Sequence, residues 1–305
     1  MSNQLEPKIS NLKSQISNGV LPAMATPLQP DGYRVDTAVL PQLADFLLNA
    51  GVKGMFVGGT TGEGVLLDVG ERMRLHEAIV AAANGRAPVI LHVGDNRTDV
   101  AVTLARHAQE VGTDAIAAVT PYFYGVSDEG LIDYYRAIAQ AAPEVPLFLY
   151  DIPHMAINGI SPELLVRLSR ELPGLAGMKS SRPDAQVVRR LLDAAPDHLI
   201  VLAGNESIAL GLLALGAHGL ISGLSTAVPE PFVALTRAFA NGEIGEARRQ
   251  QRLINQMLAL LPAGARIGAI KSILAERGLL AGPAVLPRPT PTEPLWPQIR
   301  DLMGR

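Results

Sequence analysis

Eight short apolar runs recur along the chain, at residues 19–25, 53–57, 88–92, 114–119, 146–150, 175–179, 199–203 and 218–222. Between them lie segments 38–50, 71–83, 98–111, 129–141, 162–171, 184–194 and 206–215, whose apolar residues fall three and four apart, the period of one helix face. Strands that alternate with helices predict a parallel sheet. Eight units of about 25–30 residues each predict a closed (β/α)8 TIM barrel, a fold that takes about 250 residues. A doubly wound open sheet is the other arrangement this alternation allows. The punctuation fits: Asp36 and Ser161-Pro162 read as helix N-caps, and Gly51, Gly112 and Gly216 as helix stops. Residues 1–228 are read as the barrel with a short N-terminal segment. Residues 229–305 are read as a helical extension, with helices over 231–240, 243–261 and 266–277, and the proline-rich stretch 283–297 as extended chain.

With 305 residues, 48 % of them hydrophobic, the chain can bury a large core. A net charge of -3 and a pI near 6.1 supply no basic face for nucleic acid or a membrane surface. No apolar run approaches the roughly 20 residues of a membrane helix. The start, MSNQLEPKISNLKSQ, is polar and lacks the apolar stretch of a signal peptide. Cysteine is absent, which excludes disulfides and thiolate catalysis and makes the cytoplasm the expected compartment. The six histidines form no H-x-H or H-E-x-x-H pair, so no histidine-built metal site is expected.

In such barrels the chemistry gathers at the C-terminal ends of the strands. Those positions hold GGTTGEG (58–64), TPYFY (120–124), Tyr150 followed by Asp151-Ile152-Pro153, Lys179, AGNE (203–206) and ISG (221–223). Of the five lysines (8, 13, 53, 179 and 271), only Lys179 ends a run on the predicted active face. Burial among apolar groups favours the neutral form of an amine, and a neutral amine forms Schiff bases with carbonyl substrates. Position alone also allows an ion-paired or snorkelling lysine. The loop GGTTGEG matches neither common phosphate-binding pattern. Its glycines let several backbone N–H groups converge beside Thr60 and Thr61, which suits a carboxylate; a plain turn is the other reading. Tyr150 is either a rim aromatic or a phenol that shuttles a proton to an amine-bound intermediate.

Taken together, GTTGE at 59–63, YDIP at 150–153, GMK at 177–179 and GLIS at 219–222 resemble the dihydrodipicolinate synthase / N-acetylneuraminate lyase family in order and spacing, over about residues 18 to 280. The resemblance implies a (β/α)8 barrel with a C-terminal helical extension, assembled as a homotetramer, a dimer of dimers. It implies Lys179 as the lysine that captures the keto group of pyruvate or another 2-keto acid, and Tyr150 as general acid/base. Thr60 and Thr61, with Gly59 in the same loop, would hold the keto acid's carboxylate, and Gly204 and Ile221 would line its pocket. No metal or organic cofactor is implied, because the imine is itself the electron sink.

Three departures bear on the substrate. Met155 stands where dihydrodipicolinate synthases carry an arginine for the second substrate's carboxylate, and a thioether cannot replace that fork. Phe123 stands where the family has a relay tyrosine that reaches the neighbouring subunit; Tyr122 and Tyr124 flank it as substitutes. Asp151 replaces the usual asparagine. Ser181, Asn205 and Glu206 match positions that contact the hydroxylated tail in sugar-acid lyases, or else form a wet polar rim. The expectation is a Schiff-base lyase or aldolase that joins a 2-keto acid to an uncharged, hydroxylated aldehyde, or cleaves the corresponding 2-keto-3-deoxy sugar acid. The alternatives are 4-hydroxy-tetrahydrodipicolinate synthase, a keto-deoxy sugar acid dehydratase, and a non-catalytic barrel that binds a keto acid.

Overall fold

The apolar runs become eight parallel strands in the computed structural model, which describes residues 5–304; residues 1–4 of the polar N-terminal stretch lie outside it. The strands are β1 (Val20–Pro22), β2 (Met55–Val57), β3 (Val89–His92), β4 (Ala115–Val119), β5 (Leu147–Asp151), β6 (Leu175–Ser180), β7 (Ile200–Ala203) and β8 (Gly219–Ser222). Each pairs with its sequence neighbour from β2 through β8, and β8 pairs with β1. A parallel bridge from Ala23 to Phe56, with Lys53 N donating to Val20 O at 3.0 Å, brings β1 to β2 and closes the ring. The expected barrel is therefore present, with helices between its strands. Helices Glu230–Ala240, Ile244–Leu260, Arg266–Glu276 and Trp296–Met303 follow it. No described helix is long and apolar enough to cross a membrane.

Ser161 caps its helix as expected, accepting from Leu164 N at 3.0 Å with Pro162 in the first turn. Other local expectations fail for physical reasons. Asp36 caps no helix; it closes a turn on Ala38 N, and the helix begins only at Leu40. The segment 206–215 is not one helix. Asn205 accepts from Ser207 N and tightens a 3₁₀ turn over Glu206–Ile208, after which a short helix runs Ala209–Ala214. The proline-rich stretch ends one residue short of Trp296, where the Glu276 carboxylate accepts from Leu295 N and Trp296 N and starts the last helix.

The N-terminal segment is itself a helix, Leu5–Ile16. Its buried stripe, Leu5, Ile9, Leu12 and Ile16, shares one cluster with Leu21, Phe56, Ile90, Phe148 and Ile200 inside the barrel. Lys8 and Lys13 on this helix donate to Glu144 O and Asp197 O, carbonyls of loops that precede strands β5 and β7. The helix thus closes the barrel floor, at the N-terminal ends of the strands, and leaves the opposite end open.

Candidate active site

Lys179 and Tyr150 lie side by side because β5 and β6 pair in that register: Tyr150 opposite Lys179, Asp151 opposite Ser180. The register depends on a bulge. Leu147 pairs with Leu175 but Phe148 with Gly177, so Ala176 is the extra residue. Gly177 is required there, since a Cβ would sit 2.0 Å from Ile200 O on β7.

Lys179 is 4 % exposed. Its Nζ lies 4.0 Å from the Tyr150 ring centre and 4.4 Å from that of Phe56. Among the described residues it makes no ion pair. Tyr150 is packed edge-on against Phe56 (5.7 Å) and His92 (6.0 Å). Its hydroxyl is 3.0 Å from Thr60 Oγ1. His92, fully buried, is held neutral: burial pushes its pKa well below the usual imidazole value, and the Arg72 and Lys179 charges push the same way. The lysine is thus surrounded by neutral aromatic groups, with one phenol–hydroxyl pair leading away from it.

These residues open into a cavity of about 440 Å³. Thr60, Thr61, Ser181, Gly204, Asn205, Glu206 and Ile221, all singled out from the sequence, line it with Lys179 and Tyr150. Gly204 leaves the lysine its room: a Cβ there would lie 2.2 Å from Ser181 Oγ and 3.1 Å from Lys179 Cε. Gly59 turns the loop behind the wall, its carbonyl accepting from Gly64 N. Glu206 is fully engaged. It accepts from Ser222 Oγ at 2.7 Å and Leu224 N at 2.8 Å, and it pairs with Arg266. Tyr122 and Tyr124 do not line this chain's cavity. Tyr122 packs against the barrel interior, and Tyr124 is 72 % exposed beside Phe123.

Asp151 anchors the ends of β5 and β6. Its carboxylate is completely buried and grips Arg182 through two bonds, Nε to Oδ2 at 2.6 Å and Nη2 to Oδ1 at 3.0 Å. Ser180 Oγ and Ile160 N also donate to it. Asp151 and Ser180 directly follow Tyr150 and Lys179, so this bidentate clamp fixes the two strand ends that carry them. An asparagine could not pair with that arginine in the same way. Neither His92 nor Phe56 belongs to a motif, although His92 ends the third run, where chemistry is expected. Met155, His154, Pro183, Ser207 and the arginines Arg266 and Arg288 complete the outer wall.

The comparisons agree with this fold. The model of the Dihydrodipicolinate synthetase family matches residues 16–301. The 4-hydroxy-tetrahydrodipicolinate synthase of Bacillus subtilis is 32 % identical over 266 residues, 87 % of this chain and 91 % of that protein. A catalytic-lysine mutant of the sialic acid aldolase of Ruminococcus gnavus superposes with a TM-score of 0.89 at 28 % identity, covering 95 % of each chain. Dihydrodipicolinate synthase from Bacillus anthracis does so with a TM-score of 0.87 at 30 % identity, over 95 % of this chain and 98 % of that one. The chain belongs to the dihydrodipicolinate synthetase family, and it is a lyase of the Schiff-base pyruvate aldolase type.

Proposed function

We propose that the protein cleaves, and in reverse forms, the carbon–carbon bond beside the pyruvate-derived carbon of a 2-keto-3-deoxy sugar acid, through an imine on Lys179. The observation that carries the assignment is the Lys179 amine set against two aromatic faces at the strand ends, with no counter-charge of its own. In the cleavage direction, Nζ attacks the keto carbon and water leaves, giving the imine. The hydroxyl on the second carbon from the imine carbon gives up its proton, the bond between that carbon and the intervening methylene breaks, the aldehyde leaves, and the bond's electron pair moves into the imine to form an enamine. Protonation of the enamine and hydrolysis release pyruvate and restore the amine. Tyr150, bonded to Thr60, is the group that moves these protons. Thr60 and Thr61 hold the keto acid's carboxylate in the turn begun by Gly59, and Gly204 and Ile221 wall its methyl side. Ser181 and Asn205 face the hydroxylated tail, while Glu206, already occupied, orders the wall.

A second reading is 4-hydroxy-tetrahydrodipicolinate synthase, the name of the Bacillus subtilis relative. Met155 weighs against it, since no cation stands at that place. The assembly we propose is a homotetramer built of two dimers, in the cytoplasm. It is supported by the apolar side chains Phe123, Tyr124, Met155 and Ile157, all more than half exposed, on two loops that Asn158 ties together. Phe123 and Ile157 there hold positive φ angles of 75° and 65°, a cost normally kept for a purpose.

Borohydride trapping tests the assignment. Incubation with pyruvate and borohydride should modify one lysine irreversibly, located by peptide mass spectrometry at Lys179. An adduct on Lys8, Lys13, Lys53 or Lys271, or none at all, would overturn the mechanism.

A further inference from the structure

The catalytic cavity has one charge for which the mechanism has no use. Its charged lining residues are Lys179, Glu206, Arg266 and Arg288. Glu206 and Arg266 neutralise each other. Lys179 is assigned to the chemistry. Arg288 is half-buried, and among the described residues its guanidinium has neither an acidic partner nor a carbonyl to donate to. A guanidinium that lines a cavity without a counter-charge is free to take an anionic ligand in a charge-assisted pair.

Arg288 is also held in place with some force. The segment before it is riveted to the GGTTGEG loop: Val285 N donates to Glu63 Oε1 at 2.8 Å, and Lys271 Nζ lies 2.7 Å from Glu63 Oε2. The same ammonium donates to Pro283 O at 2.8 Å. Glu63 follows Thr60 and Thr61 in one turn, so the loop that meets the keto acid also anchors the strap carrying Arg288. Arg288 N then bonds back to Val285 O at 3.0 Å. The arginine is delivered to the outer wall by a buried ion pair, rather than by a free tail.

We propose that Arg288 is a specificity residue that binds an anion, a carboxylate or a phosphate, at the far end of the aldehyde partner, so that the natural substrate is an acidic or phosphorylated keto-deoxy sugar acid. The inference rests on the aldolase reading and changes one expectation drawn from it. Met155 excludes a charge at its own position, not at the mouth where Arg288 stands.

The test uses the full-length protein with pyruvate and three aldehydes: glyceraldehyde, tartronate semialdehyde and glyceraldehyde 3-phosphate. Wild type should favour one or both anionic aldehydes over glyceraldehyde in kcat/KM by roughly 10- to 150-fold, the range of a charged hydrogen bond. The favoured one identifies carboxylate or phosphate. Arg288→Gln should erase that preference and leave glyceraldehyde within about twofold, and Arg288→Lys should restore part of it. A wild type without preference, including one that accepts none of the three, overturns the proposal and needs no variant. So does an Arg288→Gln protein that slows all three alike, or one that loses only pyruvate affinity, which would put Arg288 on the keto acid's own carboxylate. Failure of the aldolase reading is seen separately, as no pyruvate adduct on wild-type Lys179 before any aldehyde is added.

Discussion

Lys179 and Lys271 are both shut away from water, 4 % and 1 % exposed, yet their surroundings are opposite. Lys271 has a carboxylate at 2.7 Å and a carbonyl at 2.8 Å. Burial pushes its pKa down, and Glu63 pulls it back up. Lys179 has two aromatic faces and no ion partner. A buried ammonium that is given a counter-charge becomes a structural rivet, since breaking the pair leaves an uncompensated charge. One that is denied a counter-charge remains chemically available. The difference between a strut and the nucleophile we propose lies in what stands beside the amine, not in how deeply it is buried.

The contrast can be broken most directly at Lys179. Lys179→Ala should lower turnover by at least about 10⁴-fold, while the melting temperature stays level or rises, because no ion pair is lost. A marked fall in melting temperature would make Lys179 structural after all. The mirror experiment is Lys271→Met, which should cost about 3–5 kcal/mol in denaturant unfolding because Glu63 is stranded. Combining it with Glu63→Gln should recover a good part of that loss. Full stability in Lys271→Met would show that the pair is not the rivet described.

A buried histidine supplies a third solution and a smaller effect. His76 has no hydrogen-bond partner on either ring nitrogen. Its pKa is lowered to about 3, mainly by burial and further by Arg72 and His107. It is therefore kept neutral where Lys271 is paired. Below its ordinary value of 6.5, the unfolded chain takes up a proton that the folded chain refuses. Stability contributed by His76 is complete above pH 6.5, falls as pH drops, and levels off near pH 3. His76→Leu should flatten the fall in unfolding free energy over that interval, measured by denaturant titration, by at most about 1.4 kcal/mol per pH unit. An unchanged slope would mean that His76 is not the group resisting protonation.

The barrel and the inner half of the site were legible in the sequence for the same reason: both follow from local period. Runs of strand length separated by helical spacing give the ring, and reading the residue at the end of each run gives Tyr150, Lys179 and the threonine loop. The stripe at 5, 9, 12 and 16 was equally periodic, but the polar residues around it concealed the helix. What stayed hidden depends on pairings between distant segments. Asp151 and Arg182 meet only because β5 and β6 are in one register, set by the bulge at Ala176. Lys271 gave no local sign of Glu63, and Arg288 sits in a proline-rich stretch that reads as a tail until the ion pair beneath it is seen.

The sealed floor has a kinetic meaning. With Leu5, Ile9, Leu12 and Ile16 stoppering one end, the described residues leave the barrel one doorway, which reactants share with products. In the mechanism we propose, the keto acid is fastened to Lys179 at the inner end, so the aldehyde lies between it and the exit. Whatever comes in last must go out first. In that mechanism aldehyde release ahead of pyruvate follows from the covalent bond and is reinforced by depth, and a helix at the far end of the molecule, remote from every reacting atom, closes the other way out.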